Sequence, residues 1–187
     1  MPRAPRIENE PGTYHVMSRG NRRQRIYVDR LDHRRFLDIL AEVVRRHDWL
    51  LSAYCLMPNH FHLLVETRGP TLGLGMHRLN GTYAQWFNWR HAVDGHLFGD
   101  RYRRQPVETD LHLLETARYI VLNPVRAKLV AHPGRWEWSS YRAIVGAEPA
   151  PAFLAAGELL AYFGRTTPRA RAAYRRFVQD APLNVAA

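Results

Sequence analysis

The sequence predicts an α+β fold in which helices pack against a small antiparallel sheet, and three observations lead to that prediction. Strand-like apolar segments are interspersed with longer segments whose apolar residues recur at helical spacing. The dipeptide Pro58-Asn59 separates two of the strand-like segments, as in a tight turn between antiparallel strands. The order strand, helix, strand, strand, helix, strand is the βαββαβ order of a ferredoxin-like sandwich, and an extra C-terminal helix follows it.

Three strands and one helix are predicted in the first half of the chain. The segment 13–20, TYHVMSRG, has the composition of a short strand that ends in a glycine turn, and the basic loop NRRQR follows it. Between Leu31 and His47, apolar residues at helical spacing lie opposite arginines, which predicts an amphipathic helix. Trp49–Met57 and His60–Thr67 are predicted to be the two strands that the turn joins.

A second helix and an edge strand are predicted next. The glycine-rich segment RGPTLGLG favours a loop, and the helix is expected over Met76–His91, weakened by Gly81. The segment His96–Thr109 is expected to be extended. Pro106 places that segment at a sheet edge, because proline has no N–H to donate to a neighbouring strand inside a sheet.

The third helix is predicted over Leu111–Asn123, with Asp110 as its N-cap. Because a residue that precedes proline is disfavoured in helical geometry, Asn123 should end this helix. A separate short helix is then expected over Pro124–Leu129, with Asn123 as its cap.

The length and composition of the chain fit one main domain. At 187 residues and 46% hydrophobic content, the chain can build one substantial core but not two. We predict a flexible N-terminus over 1–12, the domain over 13–146 and a basic helical extension over 147–187. No apolar run approaches the ~18 residues that span a bilayer. Because such a run is missing and the start MPRAPRIENEPG has no apolar segment of signal-peptide type, a cytoplasmic location without membrane association is expected. The single cysteine, Cys55, excludes an internal disulfide and is expected in the core.

The chain is strongly basic, with a formal net charge of +10 and a pI of about 10.4. This charge indicates a polyanionic partner such as DNA. Two dense cationic segments lie near the predicted sheet, and their members are Arg19, Arg22, Arg23 and Arg25 in the first and Arg101, Arg103 and Arg104 in the second. We expect both to follow a DNA backbone, although solvated loops would have the same composition.

Two histidines two positions apart occur in the segment MPNHFHLLVE. Because strand side chains alternate between faces, His60 and His62 should point to one face and Phe61 to the other. The more apolar face should meet the helices, which leaves the histidines on the open face of the sheet. There they could bind a metal ion, or they could be polar residues on a solvated strand face.

The third helix offers candidate partners for this histidine pair. Tyr119 and Asn123 are four residues apart and share a helix face, and Arg126 follows about one turn later if the helix continues. A phenol, an amide and a guanidinium beside two imidazoles would supply a nucleophile, a metal-binding oxygen and a phosphate clamp. Tyr119 could instead be a core residue, and Asn123 a helix cap.

Four motifs, in their order and spacing, resemble those of a known family. They are MPNHFHLLVE, LFGDRYRRQPVE, ARYIVLNPVRAKLV and WEWSSYRA. From about Gly12 to Gly146, the chain is similar to the single-tyrosine HUH transposases of insertion sequences, and in particular to the REP-associated tyrosine transposases. HUH denotes two histidines around a hydrophobic residue, here His60-Phe61-His62.

The resemblance implies a metal-dependent endonuclease and strand transferase that acts on single-stranded DNA, at hairpins or repeats. It implies that Tyr119 is the catalytic nucleophile and forms a 5′-phosphotyrosine intermediate. It further implies that His60, His62 and Asn123 bind a divalent ion, Mg²⁺ or Mn²⁺, with Asn123 where the family has Gln or Asn. His15 and Arg126 are candidate accessory residues. A nucleoid-associated monomer or homodimer is expected.

Two other functions fit parts of the pattern. A non-catalytic single-stranded nucleic-acid-binding module with an RNA-recognition-like fold shares the element order, but it would need aromatic residues where His60 and His62 lie. Rolling-circle replication initiators and relaxases use the same histidine pair, but they commonly carry the tyrosine in other contexts and in longer chains. The basic tail is open to two interpretations, an accessory DNA-binding helix pair or a helix packed on the domain.

Overall fold

The computed structural model describes residues 10–180, in which four strands form one sheet. The strands are β1 (Gly12–Arg19), β2 (Trp49–Met57), β3 (His60–Thr67) and β4 (Arg103–Val107), in the order β2-β3-β1-β4. Every neighbouring pair is antiparallel. Helix α1 (Arg30–Arg46) lies between β1 and β2, and helix α2 (Leu72–His91) lies between β3 and β4. The predicted ferredoxin-like fold is therefore confirmed.

The two predicted terminal segments are only partly described. Of the predicted N-terminus over 1–12, residues 1–9 lie outside the described range, and Gly12 already belongs to β1. Residues 181–187 of the predicted extension also lie outside it. Within 10–180, no helix combines the length and apolarity that a bilayer crossing requires.

Helix α1 begins with a capping box and packs its apolar stripe on the sheet. The Asp29 carboxylate accepts hydrogen bonds from the N–H groups of Leu31 and Asp32, and the Asp32 carboxylate accepts one from Asp29. Phe36 is fully buried and meets Phe61 of β3 with ring centroids 4.7 Å apart. The apolar face of β3 therefore meets the helices, as its alternation predicts.

The opposite face of the sheet is covered by helix α3 (Asp110–Arg126), which packs on β2 and β3. The prediction of an open face is therefore wrong. The alternation along β3 does separate the two faces, but α3 carries its own apolar stripe, with Ala117, Ile120 and Val121 fully buried. That stripe requires a surface to pack on. His62 on this face is only 2% exposed.

Helix α2 starts at Leu72, four residues before its predicted start, because the glycines that favoured a loop lie inside the helix. One of them has a packing reason. A Cβ atom on Gly75 would lie 2.2 Å from Cζ2 of Trp49, so only glycine lets α2 pack against that indole ring. Gly81 has open space around it, and the predicted weakening there does not interrupt the helix.

The N-cap of α3 is Thr109 and not Asp110. The Thr109 hydroxyl accepts a hydrogen bond of 3.2 Å from the N–H of His112, and Asp110 is the first helical residue. Sequence alone favoured the aspartate because both residue types are good caps and stand side by side.

Helix α3 also runs through Pro124, so the predicted break and separate helix over Pro124–Leu129 are wrong. Proline lacks the N–H that would donate to the carbonyl of Ile120. The Asn123 side chain compensates, because its Nδ2 donates to the carbonyls of Ile120 at 3.4 Å and Tyr119 at 2.9 Å. The carbonyl that Pro124 leaves without its helical partner is thus satisfied within the helix.

Strand β4 is an edge strand that contains Pro106, as predicted, but it is shorter than the extended segment expected over His96–Thr109. Within the described residues, three further α-helices follow α3, namely α4 (Tyr141–Ile144), α5 (Ala156–Ala161) and α6 (Thr167–Gln179). Helix α6 buries Ala170, Tyr174 and Val178 in the same hydrophobic core as the sheet. The helix of the basic tail therefore packs on the domain, and a contact between this tail and DNA stays a prediction.

Candidate active site

Three histidines from neighbouring strands lie together on the face that α3 covers. His60 and His62 come from β3, with ring centroids 4.9 Å apart, and His15 comes from β1. The antiparallel register pairs Met17 with His62, which brings His15, two residues earlier on β1, to the side of His62. The His15 and His62 rings are stacked at 5.1 Å, and His15 Nε2 lies 2.9 Å from His62 Nδ1, at hydrogen-bond distance.

Helix α3 brings Tyr119 to two of these histidines. The half-buried Tyr119 ring meets the rings of His62 and His15 edge-on, with centroid distances of 5.7 and 5.8 Å. The guanidinium carbon of Arg126 lies 4.9 Å from the centroid of the same ring, on its face. Of the residues singled out in the sequence, the structure thus brings Tyr119, Arg126 and the three histidines into one cluster, with His60 next to His62.

The three imidazoles are neutral at physiological pH. Burial lowers the pKa of His60 to about 4, helped by the positive charge of Arg19. Burial also lowers the pKa of His15 to about 4, with His112 of α3 adding to the effect. The pKa of His62 lies well below its usual value, because of burial and then of its two histidine neighbours. Neutral imidazole is the form that binds metal ions.

His60, His62 and Asn123 each offer an atom of a type that binds divalent ions. His62 Nε2 is buried and has no hydrogen-bond partner in the described chain, while its Nδ1 is engaged by His15. His60 Nδ1 lies 2.7 Å from Asn59 Oδ1, which leaves Nε2 as its candidate donor. Asn123 uses Nδ2 on carbonyls of its own helix, which leaves Oδ1. A histidine that binds a metal ion through one ring nitrogen typically makes a hydrogen bond through the other ring nitrogen.

A third ligand of another residue type would be needed at this site. Among residues 10–180, no three His, Cys, Asp or Glu side chains are grouped so that they could hold a metal ion. The amide oxygen of Asn123, one helical turn from Tyr119, is the candidate on α3, and phosphate oxygens or water would complete the coordination.

The first cationic segment borders His60. Arg19, at the end of β1, pairs with His60 in the sheet, and the loop that follows is attached to the turn between β2 and β3. Gly20 N donates to Asn59 O at 2.8 Å, and Asn59 Nδ2 donates to Arg23 O at 3.0 Å. The remaining basic residues of this segment, Arg22, Arg23 and Arg25, are exposed.

The second cationic segment divides between the two faces of the sheet. Arg103 pairs with Met17 and so shares the face of His15 and His62, whereas Arg104 pairs with Val16 on the opposite face. The Arg104 guanidinium lies 5.7 Å from the centroid of the Tyr14 ring. Arg101 is exposed just before β4. Only Arg103 of the two strand arginines is thus directed to the site face.

Two residues of the site escaped the sequence analysis. Asn59 contacts His60 directly, and the only available signal was its position next to the histidine pair. His112 lies close enough to His15 to affect the pKa of that residue. It precedes Tyr119 by seven residues, which is two helical turns, so the face it shares with the tyrosine could have been noticed.

Comparison with known proteins gives a family. A family model described as "Transposase IS200 like" matches residues 10–123, more than half of the chain and a range that includes the histidine pair, Tyr119 and Asn123. The chain therefore belongs to the IS200-like transposase family, which confirms the family predicted from the motifs.

One solved structure is similar in fold, and a second aligns with part of the chain. A REP-associated tyrosine transposase bound to a REP hairpin aligns with a TM-score of 0.64 and 16% identity, covering 81% of this chain and 89% of that chain. A crystal structure of a candidate transposase from Deinococcus radiodurans aligns with a TM-score of 0.44 and 20% identity, covering 63% of this chain and 95% of that chain. No curated protein sequence matches the chain.

Proposed function

We propose that this transposase is a metal-dependent endonuclease and strand transferase for single-stranded DNA, acting through a covalent phosphotyrosine intermediate. The observation that carries the proposal is the edge-on contact of Tyr119 with His15 and His62. A phenol beside buried neutral imidazoles, in a chain with a net charge of +10, combines a nucleophile, candidate metal ligands and affinity for a polyanion.

Tyr119 is the proposed nucleophile. Its Oη loses a proton and attacks the phosphorus of a phosphodiester, the bond from phosphorus to the 3′ oxygen breaks, and the 3′ oxygen leaves as a hydroxyl. The strand fragment on the 3′ side of the break stays on the tyrosine, linked through its 5′ phosphate as a 5′-phosphotyrosine. Because this link is still a phosphoester, the 3′ hydroxyl of another strand end can reverse the step and join new ends. Arg126, on the face of the Tyr119 ring, is placed to contact the phosphate.

His60, His62 and Asn123 would hold the divalent ion, through Nε2 of each histidine and Oδ1 of the asparagine. When bound, the ion would polarise the scissile phosphate and stabilise the charge that develops in the transition state. The contribution of the chain is to keep the imidazoles neutral and their rings oriented before the ion arrives. Mg²⁺ and Mn²⁺ are both candidates, and imidazole ligands favour Mn²⁺.

The proposed partner is DNA, as a single strand or hairpin. Arg19 of β1 pairs with His60 and Arg103 of β4 pairs with Met17 on the same sheet face, so exposed arginines border the site from two strands. The related transposase of known structure is bound to a REP hairpin, which supports the choice of a hairpin as the first probe. Since Tyr119 and His62 meet within one chain, a monomer is sufficient to assemble this cluster, and a homodimer is compatible with it.

A non-catalytic binding module is the less favoured alternative. An RNA-recognition-like domain binds on the exposed face of its central strands. Here α3 covers that face, and Leu64 and His62 of β3 are buried beneath it. Such a module would therefore have to bind elsewhere.

The proposal is tested with end-labelled single-stranded hairpin DNA, Mn²⁺ or Mg²⁺, and wild type beside Tyr119→Phe. A denaturing gel should show a metal-dependent covalent adduct with wild type only, while both proteins retain DNA binding. Tyr83→Phe is the matched control, because Tyr83 is a buried tyrosine on the other side of the sheet. An adduct that persists in Tyr119→Phe would rule out this nucleophile. DNA binding without cleavage across a broad panel of DNAs would favour the binding module.

A further inference from the structure

We infer that Asn59 is a positioning residue that fixes the tautomer of His60 and couples this candidate ligand to the arginine-bearing loop 20–26. The inference rests on the proposed function, because it concerns how the metal-binding nitrogen of His60 is presented. Asn59 is not one of the proposed metal ligands, and it contacts two residues, His60 and Arg23.

The orientation of the Asn59 amide follows from its contact with the loop. The Arg23 carbonyl lies 3.0 Å from the Asn59 nitrogen Nδ2. A carbonyl oxygen can only accept a hydrogen bond, so the group that faces Arg23 has to be the donor NH₂. The other end of the amide, Oδ1, is then the atom that meets His60. The hydrogen-bond partners decide the orientation of the amide, because its oxygen and nitrogen are nearly the same in size and shape.

The tautomer of His60 follows in the same way. Asn59 Oδ1 lies 2.7 Å from His60 Nδ1, and an amide oxygen has no proton to give. The proton of this hydrogen bond therefore belongs to Nδ1. In a neutral imidazole the other nitrogen, Nε2, then carries the free electron pair that a metal ion requires. Asn59 thus selects the tautomer in which Nε2 of His60 is ready to bind.

The same side chain stabilises the loop. Arg22 and Arg23 have positive φ angles of 51° and 60°, a region that costs free energy for residues other than glycine. Such conformations persist only when neighbouring contacts hold them. Here the contacts converge on the turn between β2 and β3, where Pro58 O accepts from Ile26 N at 2.9 Å and Asn59 contributes both its backbone carbonyl and its amide. Asn59 therefore links loop 20–26, whose arginines are proposed to contact DNA, to the ring of His60, which is proposed to bind the metal ion.

Two substitutions separate these roles. In Asn59→Asp, a carboxylate oxygen can still accept from His60 Nδ1–H, but nothing can donate to Arg23 O. In Asn59→Ala, both contacts are lost. Asn88→Ala is the matched control, because Asn88 Nδ2 likewise donates to a loop carbonyl, that of Gly95 at 2.9 Å, at the end of α2.

The first measurement is made on the metal-free protein. Long-range ¹H–¹⁵N NMR of histidine side chains, at mildly alkaline pH, reports the tautomer of each ring. Wild type, Asn88→Ala and Asn59→Asp should show His60 protonated at Nδ1, and Asn59→Ala should show a mixture of tautomers. A wild-type His60 protonated at Nε2, or an unchanged tautomer in Asn59→Ala, would overturn the inference.

The second measurement follows Mn²⁺ and DNA separately. By calorimetry, Asn59→Ala should lose roughly 10–100-fold in Mn²⁺ affinity, whereas Asn59→Asp should stay close to wild type. By fluorescence anisotropy with hairpin DNA in the absence of metal, both variants should bind more weakly than Asn88→Ala. If Asn59→Asp lost Mn²⁺ affinity to the same extent as Asn59→Ala, the tautomer would not be what Asn59 controls.

The outcomes distinguish this inference from the proposed function. A wild type that shows the Nδ1–H tautomer but binds no Mn²⁺ would contradict the metal site and still support the action of Asn59 on His60. A wild type that binds Mn²⁺ through His60 while Asn59→Ala behaves identically would support the metal site and overturn the role of Asn59.

Discussion

His15 and His62 lie on neighbouring strands and share a hydrogen bond of 2.9 Å between Nε2 of the first and Nδ1 of the second. When His62 is the donor, its Nε2 is free for a metal ion, and that Nε2 is indeed buried and without a partner in the described chain. His15 thus contacts the site through both His62 and Tyr119. Strand β1 therefore contributes His15 to the candidate site, whereas the sequence motif contains only the two histidines of β3.

Removing the His15 imidazole should weaken the proposed metal site. We expect His15→Ala to lower Mn²⁺ affinity by roughly 10–100-fold, because His62 loses the acceptor that orients its ring. His15→Gln, whose amide oxygen can accept from Nδ1–H, should recover part of the loss. Calorimetry with Mn²⁺ measures both. His33→Gln serves as control, since His33 stacks between Tyr27 and Trp138 away from this site. Equal affinity for wild type and His15→Ala would contradict the prediction.

Arg126 should act on the covalent step and not on metal binding. Its guanidinium lies on the Tyr119 ring, where a phosphate attached to the tyrosine would form. We expect Arg126→Met to slow adduct formation about ten- to a hundredfold, as for the loss of one charged hydrogen bond. The amount of adduct over time on a denaturing gel measures this rate. The Mn²⁺ affinity of Arg126→Met, measured by calorimetry, should equal that of wild type. Arg135→Met, in the short turn Pro133–Arg135, is a control. A loss of Mn²⁺ affinity in Arg126→Met would show a different role.

Two glycines of the same helix should respond in opposite directions to alanine. A Cβ at position 75 would overlap the Trp49 ring, so Gly75→Ala should destabilise the protein by about 1–3 kcal/mol through overpacking. At Gly81 a Cβ meets nothing within 4 Å, so Gly81→Ala should stabilise by about 0.5–1 kcal/mol through helix propensity. Urea unfolding gives both free energies. The same sign for both variants would show that the Trp49 contact does not decide the outcome at position 75.

Asn123 and Pro124 should be coupled in stability. Asn123→Ala leaves the carbonyl of Ile120 without its side-chain donor and should cost about 1–3 kcal/mol. In a Pro124→Ala background, the restored backbone N–H can donate to that carbonyl, so the same substitution should cost less. A double-mutant cycle from urea unfolding measures the difference. Strict additivity would show that the amide of Asn123 does not replace the missing N–H.

Cys55 should be unreactive in the native protein. Its side chain is fully buried, and burial raises the pKa of the thiol far above its usual value. Because the thiolate is the reactive form, labelling with a thiol reagent should stay slow as the pH rises from neutral to mildly alkaline. In urea, the unfolded protein should be labelled rapidly, at one thiol per chain. Rapid labelling of the folded protein would contradict the burial of this residue.

Much of the fold could be predicted from local signals, because those signals are strong here. The alternation in β3 places His60 and His62 on one face, and the spacing of Tyr119 and Asn123 places them on one side of a helix. The register that brings His15 to His62 depends on how β1 slides along β3, which no local pattern specifies.

The wrong expectations share a physical cause. Glycine at position 75 and proline at position 124 both disfavour a helix locally, yet each is accommodated by a neighbour, the Trp49 indole and the Asn123 amide. Local propensity is overruled by such contacts, and they become visible only in three dimensions. The face that α3 covers could not be predicted for the same reason.

Helix α6 lies beyond the range that the family model matches, but it packs against α3, the helix that carries the proposed nucleophile Tyr119. Arg118, next to Tyr119 in sequence, donates to the carbonyl of Phe177 at 3.2 Å, and its guanidinium stacks on the Phe177 ring at 4.3 Å. These contacts tie α6 to the turn of α3 that carries Tyr119. In the proposed mechanism, the freedom of Tyr119 to reach a second strand end therefore depends in part on contacts from outside the matched range.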